Sequence, residues 1–198
     1  MKILKTLFYG VIGLVAALAV IGLALPREVR IEREIVIAAP PATVFTYLNG
    51  WQNFNAWSPW AALDPNTKYT YEGPLTGVGA KQSWSSEMHS VGSGSQQITA
   101  VEPDQSITIQ LMLPDMAPSV VTQVLTPQDE GTKVVWAMEA DMGLNPLNRW
   151  FGLLLPKFIG PDYEKGLAKM KPLIEALPKT EPVAIPMEEA KPADAPQP

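Results

Sequence analysis

From Tyr69 onward the chain alternates apolar and polar residues with a period of two, in short runs separated by turn residues. Residues 69–72, 78–88, 96–101, 106–113, 120–126 and 132–141 each read as a strand. The cleanest runs place Ile107, Ile109, Leu111 and Leu113 on one face, and Val134, Trp136, Met138 and Ala140 on another. Gly73-Pro74, Gly92-Ser93-Gly94, Glu102-Pro103-Asp104 and Gln128-Asp129-Glu130-Gly131 supply the breaks between them. Upstream, Val29, Ile31, Ile35 and Ile37 alternate with charged residues and predict one more strand over 29–38. Strands in series joined by tight turns predict an antiparallel meander.

Helical spacing appears in three places. Val44, Phe45 and Leu48 predict a short helix over 42–48, stopped by Gly50. Asn145-Pro146, an N-cap followed by a first-turn proline, opens a short apolar helix over 147–154. The longest pattern is 160–177, where Tyr163, Leu167, Met170, Ile174 and Leu177 form one apolar stripe. Pro161 is expected in its first turn, with Asp162 and Glu164 at the positive end of the helix dipole. Pro172 is expected to kink it and to leave 172–177 as its movable end. A one-faced helix must bury that face. The meander offers the partner, a sheet face carrying Trp84, Ile109 and Trp136. Between strand 29–38 and the meander, WQNFNAWSPW (51–60) has three tryptophans and no charge, and reads as a helix–loop.

The first segment follows neither period. Residues 6–25 form an uncharged apolar run of the length that crosses a bilayer as a helix. Lys2 and Lys5 precede it, and Pro26 and Arg27 close it. A cleaved signal peptide is the competing reading, with a shorter apolar core and a cleavage site such as Gly22-Leu23-Ala24. The run length favours an uncleaved single-pass anchor. Arg27, Arg30 and Arg33 nearly balance the N-terminal charges, so the positive-inside count leans only slightly toward a domain on the extracytoplasmic (periplasmic) face. The expected organisation is a short tail (1–5), a transmembrane helix (6–25), a folded domain (26–177) and a disordered Pro-rich tail (178–198).

Composition narrows the function classes. The 198 residues carry a net charge of −5, which argues against nucleic acid as a partner. With no cysteine and one histidine, His89, the chain has no thiolate site, no cysteine nucleophile and no cluster of histidine ligands. The glycines Gly73, Gly77 and Gly79 are not followed by the Lys-Ser/Thr of a phosphate loop. No cofactor or metal motif is expected.

The order of elements, with IAAPPATVFTYL (37–48), WSPW (57–60), YEGPLTGVGAKQSW (71–84) and GPDYEKGLAKMK (160–171), resembles the helix-grip fold of the START/Bet v 1-like (SRPBCC) superfamily. The likeness is to its bacterial polyketide cyclase/dehydrase-like branch and covers about 29–177. It implies an α+β fold, a curved antiparallel sheet wrapped around a long C-terminal helix. It also implies one of several activities, because the group includes carriers of lipids and hydrophobic ligands as well as aromatic cyclases. Fold alone does not choose among them.

Trp84, Met88, Ile109, Leu111, Trp136, Met138, Tyr163, Leu167 and Met170 are expected to line a cavity between sheet and helix, against the alternative that each is ordinary core. Trp57 and Trp60 read as structural plugs. Gln82, Ser86 and Gln123 are the polar groups that can face inward, where each needs a partner. Glu87 and His89 share a face with Ser83 and Ser85, opposite Trp84, and read as solvated rather than as an acid–base pair. Glu139 and Asp141 read the same way. Arg149 is a candidate for an anionic head group. No catalytic set emerges. The expectation is a membrane-anchored binding domain for a hydrophobic small molecule or lipid. The alternatives are a cyclase/dehydrase-like enzyme, which needs an inward acid or base, and an envelope protein-interaction module using the tail or the domain surface.

Overall fold

The computed structural model describes residues 2–177 apart from residue 115. The tail expected to be disordered, 178–198, lies outside them. Helix α1 (Lys2–Ala24) leads into β1 (Glu28–Ile37), α2 (Pro41–Leu48) and the single-turn α3 (Phe54–Trp57). The meander follows as β2 (Lys68–Glu72), β3 (Lys81–Ser85), β4 (Ser93–Glu102), β5 (Ser106–Met112), β6 (Ser119–Gln128) and β7 (Gly131–Asp141), then α4 (Pro146–Gly152) and α5 (Leu155–Glu175). The seven strands form one antiparallel sheet in the order β1-β7-β6-β5-β4-β3-β2. Only β1 departs from sequence order. It pairs with β7 from Glu28↔Asp141 to Ile37↔Thr132, and the chain then crosses through α2 and α3 to the opposite edge. This is the helix-grip arrangement of a curved sheet against a C-terminal helix.

Helix α5 covers the β1 edge. Tyr163, Leu167, Met170 and Ile174 are buried in the common core with Ile31, Val134 and Trp136. Burying each such side chain contributes about 1.5–3 kcal/mol. The helix also meets the edge's free backbone groups. Lys171 Nζ donates to Val36 O (2.8 Å), and Ala38 N donates to Glu175 Oε1 (2.8 Å). An open edge is a pairing hazard, and these contacts close it.

Three expectations need correction. The long helix begins at Leu155, with Pro156 in its first turn, so Pro161 lies in the interior. Its missing N–H leaves the Lys157 carbonyl without the usual helical donor, at an exposed residue. Asp162 and Glu164 therefore do not serve the helix start. Asp162 pairs with Lys165 (3.1 Å), and Glu164 with Arg33 on β1 (2.5 Å). Second, the segment beyond Pro172 is anchored, because Ile174 is fully buried and Glu175 holds Ala38. Hydrogen exchange is expected to show comparable protection on both sides of Pro172, as befits one cooperative unit. Faster exchange at 173–176 alone would contradict that anchoring.

Third, the strand expected over 78–88 shortens to Lys81–Ser85, and the turn moves from 92–94 to 86–92. Ser93 and Gly94 pair with Ser85 and Trp84. Gly94 reads as a turn residue but sits in β4 because the Trp84 indole lies across it. A Cβ there would come within 2.6 Å of the ring. Glu87, Met88 and His89 are consequently exposed turn residues and belong to no strand face.

Candidate functional site: a cavity between sheet and helix

Alternation along β3–β7 sends one set of side chains to the face that α5 covers. They are Gln82, Trp84, Gln96, Ile109, Leu111, Ser119, Val121, Gln123, Trp136 and Met138. Above them lie Phe151 from α4 and Leu155, Phe158, Ile159 and Tyr163 from the first half of α5. Phe54, Ser58, Trp60 and Tyr69 close one end. Together they enclose a cavity of about 420 Å³. That is within the range of small-molecule sites, and the walls are mainly apolar with a few polar groups, as such sites are.

Of the residues expected there, Trp84, Ile109, Leu111, Trp136, Met138 and Tyr163 line the cavity. Leu167 and Met170 do not. They sit further along α5, buried in the core beyond the cavity. Met88 is in the exposed 86–92 turn. Trp60, expected to be a plug, is part of the wall, whereas Trp57 is core. The sequence pattern places neither Phe151, in the short helix predicted over 147–154, nor Phe158, between the two predicted helices, at the cavity.

An aromatic cluster supports the wall. Trp136 stacks on Tyr163 (centroids 3.8 Å, 9° between planes) and meets Trp57 and Trp60 edge-on at 5.1 and 6.2 Å. Such pairs add about 0.5–1.5 kcal/mol each beyond the area they bury. Burial pushes the pKa of the Tyr163 phenol well up, and burial likewise raises that of Tyr69.

The polar lining divides into a satisfied and an unsatisfied half. Gln96 Nε2 donates to Gln82 Oε1 (2.8 Å), its cross-strand partner, and Gln82 Nε2 donates to Asn55 Oδ1 (3.2 Å). Ser86, read as a possible inward group, lies outside the lining and donates to Asp64 Oδ2 (2.5 Å). Gln123 and Trp136 differ. They face each other across β6 and β7, each is 4% exposed, and Gln123 Oε1 and Trp136 Nε1 have no hydrogen-bond partner. A buried unpaired polar group costs about 1–3 kcal/mol, so an unpaired acceptor and an unpaired donor on paired residues each need a reason. Among the described residues, no carboxylate, imidazole, amine or guanidinium lines the cavity, and its titratable groups are the phenols of Tyr69 and Tyr163.

The exposed members of the lining are Phe151 (50%) of α4, Phe158 (57%) of α5, Met116 (40%) of the β5–β6 loop and Ser90 of the β3–β4 turn. Helix α1 reaches the end of the domain that holds α4. Arg149 Nη1 donates to Leu23 O (2.5 Å) and Leu25 O (3.2 Å), capping the last carbonyls of α1. Trp150 Nε1 donates to Leu18 O (3.0 Å). Gly22 permits the close approach, since a Cβ there would come within 2.7 Å of Pro146. Arg149, read as a candidate for an anionic head group, is thus a helix cap.

Below that junction, Asp141 accepts from Arg27 Nε and Nη2 (2.7 and 2.5 Å) and from Gly143 N (2.7 Å). These bonds hold its pKa at about 2, below the usual 3.8. Because the folded value is the lower one, the stabilisation is complete above pH 3.8 and is lost as pH falls through about 2. Asp141→Asn is expected to lower stability modestly at pH 7, since the pair is exposed, and to match the native chain below about pH 2, so that its stability no longer falls across that acid window. Acid titrations of both variants, followed by circular dichroism, measure the difference.

Residues 28–175 match the family described as polyketide cyclase / dehydrase and lipid transport, and the chain belongs to it. No curated protein matches the sequence. Solved structures share the fold at low identity. The CV1439 protein of Chromobacterium violaceum is 17% identical with a TM-score of 0.53, over 76% of this chain and 99% of its own. The SA2116 protein of Staphylococcus aureus, of unknown function, is 13% identical with a TM-score of 0.57, over 75% and 94%. StfQ, a di-domain aromatase/cyclase of the steffimycin biosynthetic pathway, is 15% identical with a TM-score of 0.55, over 75% of this chain and 51% of StfQ.

Proposed function

We propose that this protein is a membrane-tethered, non-enzymatic binding protein for a hydrophobic small molecule or lipid with one small polar end. The observation that supports the reading is the mainly apolar cavity of about 420 Å³, whose lining residues Gln123 and Trp136 carry a buried acceptor and a buried donor with no partner. Both atoms are covered in the empty protein, so a ligand hydroxyl that accepts from Trp136 Nε1–H and donates to Gln123 Oε1 requires these side chains to shift toward the cavity. The apolar body then lies against Ile109, Leu111 and Met138 and points to the exposed lining at Phe151 and Met116. The tether is α1. Its segment Lys5–Ala24 has a mean hydropathy of 2.5 and is the one described helix long and apolar enough to cross a membrane. A family that includes lipid transport fits this reading.

The cyclase-type alternative draws on the family description and on the fold shared with StfQ. It requires an acid or base in the cavity, and the described lining offers only two phenols whose pKa values are raised. Binding is the better supported function.

The test is fluorescence titration of the detergent-solubilised full chain with 1-aminoanthracene, an apolar dye with one small polar group. Saturable binding that quenches tryptophan emission is expected, and long-chain alcohols should compete better than alkanes of equal length. Absence of saturable binding, or equal competition by alkane and alcohol, would count against the proposed ligand class.

A further inference from the structure

The reading of a membrane-tethered binding domain leaves one surface without a role. Between Asp141 and Asp162 the chain has two basic residues, Arg149 and Lys157, and no acidic residue. The same stretch exposes Leu144 (74%), Leu147 (74%), Phe151 (50%), Leu154 (46%) and Phe158 (57%). Phe151 and Phe158 stack on each other at 6.5 Å and also form one lip of the cavity. A contiguous exposed apolar patch of this kind marks an interaction site.

Helix α1 indicates what covers it. Trp150 is bonded to Leu18 and Arg149 to Leu23 and Leu25. If α1 spans a bilayer and ends near Ala24, Leu18 lies about 9 Å deeper, six residues at a 1.5 Å rise. Interfacial helices sit at about 5–10 Å depth, with apolar side chains inward and cations toward the head groups. Trp at the interface and Arg at the helix end are the usual residues of that layer.

We infer that α4 and the first turns of α5 are embedded in the lipid surface beside α1, so that the cavity opens into the bilayer and its ligand passes there without crossing water. This rests on the tethered-binder reading and adds the route of loading. A ligand reached this way is a membrane-partitioned lipophile, not a water-soluble metabolite. The exposed Leu147 and the lip of Phe151 and Phe158 are then solvated by acyl chains rather than exposed to water.

The native chain has no cysteine, so single labels report cleanly. Leu147→Cys, Phe158→Cys and, at the opposite end of the sheet in the β6–β7 turn, Asp129→Cys are labelled with bimane on the full chain. Each is placed in nanodiscs of phosphatidylcholine and phosphatidylglycerol. Lipids bearing a shallow doxyl quencher are expected to remove emission at 147 and 158 and to leave 129 unaffected, while aqueous iodide does the reverse. Iodide quenching at 147 and 158 equal to that at 129 would overturn the inference, because the mouth would face water. Shielding from both quenchers would also overturn it, because a protein partner or second copy would then cover the patch. A further variant, Gly22→Leu, should stay in the membrane but lose the lipid quenching at 158, since it separates α1 from α4; retention of that quenching would count against α1 as the device that sets the depth. Dye binding measured on the same samples separates failure of this route from failure of the binding function itself.

Discussion

Trp136→Ala destabilises the domain by about 3 kcal/mol, the low end of the range for large aromatic truncations in a core. The indole is 4% exposed, stacks on Tyr163 and touches Trp57 and Trp60. Its removal leaves a void continuous with the existing cavity and deprives α5 of its stacking partner. The loss is not larger, because the variant also removes a buried N–H that has no partner. Urea unfolding followed by far-ultraviolet circular dichroism measures the change. A loss below about 1 kcal/mol would show that the sheet–helix contact does not depend on this cluster. Trp136→Phe, which keeps the stack and removes the N–H, should retain most of the stability but bind the hydroxyl-bearing ligand less tightly. That pair of variants separates packing from polar recognition.

Gln123→Leu is expected to move stability and binding in opposite directions. The side chain is of similar size, and the amide it replaces has a buried unpaired oxygen between Val121 and Leu125 on the inward face of β6. Removing an unpaired buried group should stabilise the empty protein by about 1–2 kcal/mol. The same change removes the acceptor for the ligand hydroxyl, and a lost hydrogen bond of about 1.4 kcal/mol is a tenfold loss in affinity. Alkane competition should be unaffected. A destabilised variant would mean that Gln123 is satisfied in the empty protein, by ordered water for example, and would remove one of the two groups proposed to read the ligand.

Much of this fold was legible in the sequence because period-two alternation is a strong signal. β1, β5, β6 and β7 were placed to within a few residues, and the α5 stripe from Tyr163 to Ile174 is the face that is buried. The errors came where a local rule met a tertiary contact. Pro156 and Gly160 read as interruptions and Pro161 as a helix start, yet α5 runs through all three. Gly94 read as a turn because its role, making room for the Trp84 ring, involves a residue ten positions away. Met88 was assigned to the cavity by extending the β3 alternation past Ser85, where the strand ends.

The candidate site was legible in part for the same reason. Trp84, Ile109, Leu111, Trp136 and Met138 follow from strand alternation, which sends them to one face. Leu167 and Met170 share the apolar stripe with Tyr163, but the cavity underlies only the first half of α5, and no pattern along one helix marks where a cavity stops. Gln123 was visible as a polar residue on an inward face. That its oxygen has no partner is a property of the packed interior. The exposed patch of Leu147, Phe151 and Phe158 has only a composition signal, apolar and basic without acids, and its proximity to α1 is a contact more than a hundred residues apart in sequence.

The most direct test of the cavity as a ligand site is native mass spectrometry of the full chain released from mild detergent without a delipidation step. The account predicts a population heavier than the chain by one small lipophilic molecule, which Gln123→Leu weakens and which collisional activation expels intact. A chain observed only at its own mass, which also takes up no long-chain alcohol when one is added, would contradict it.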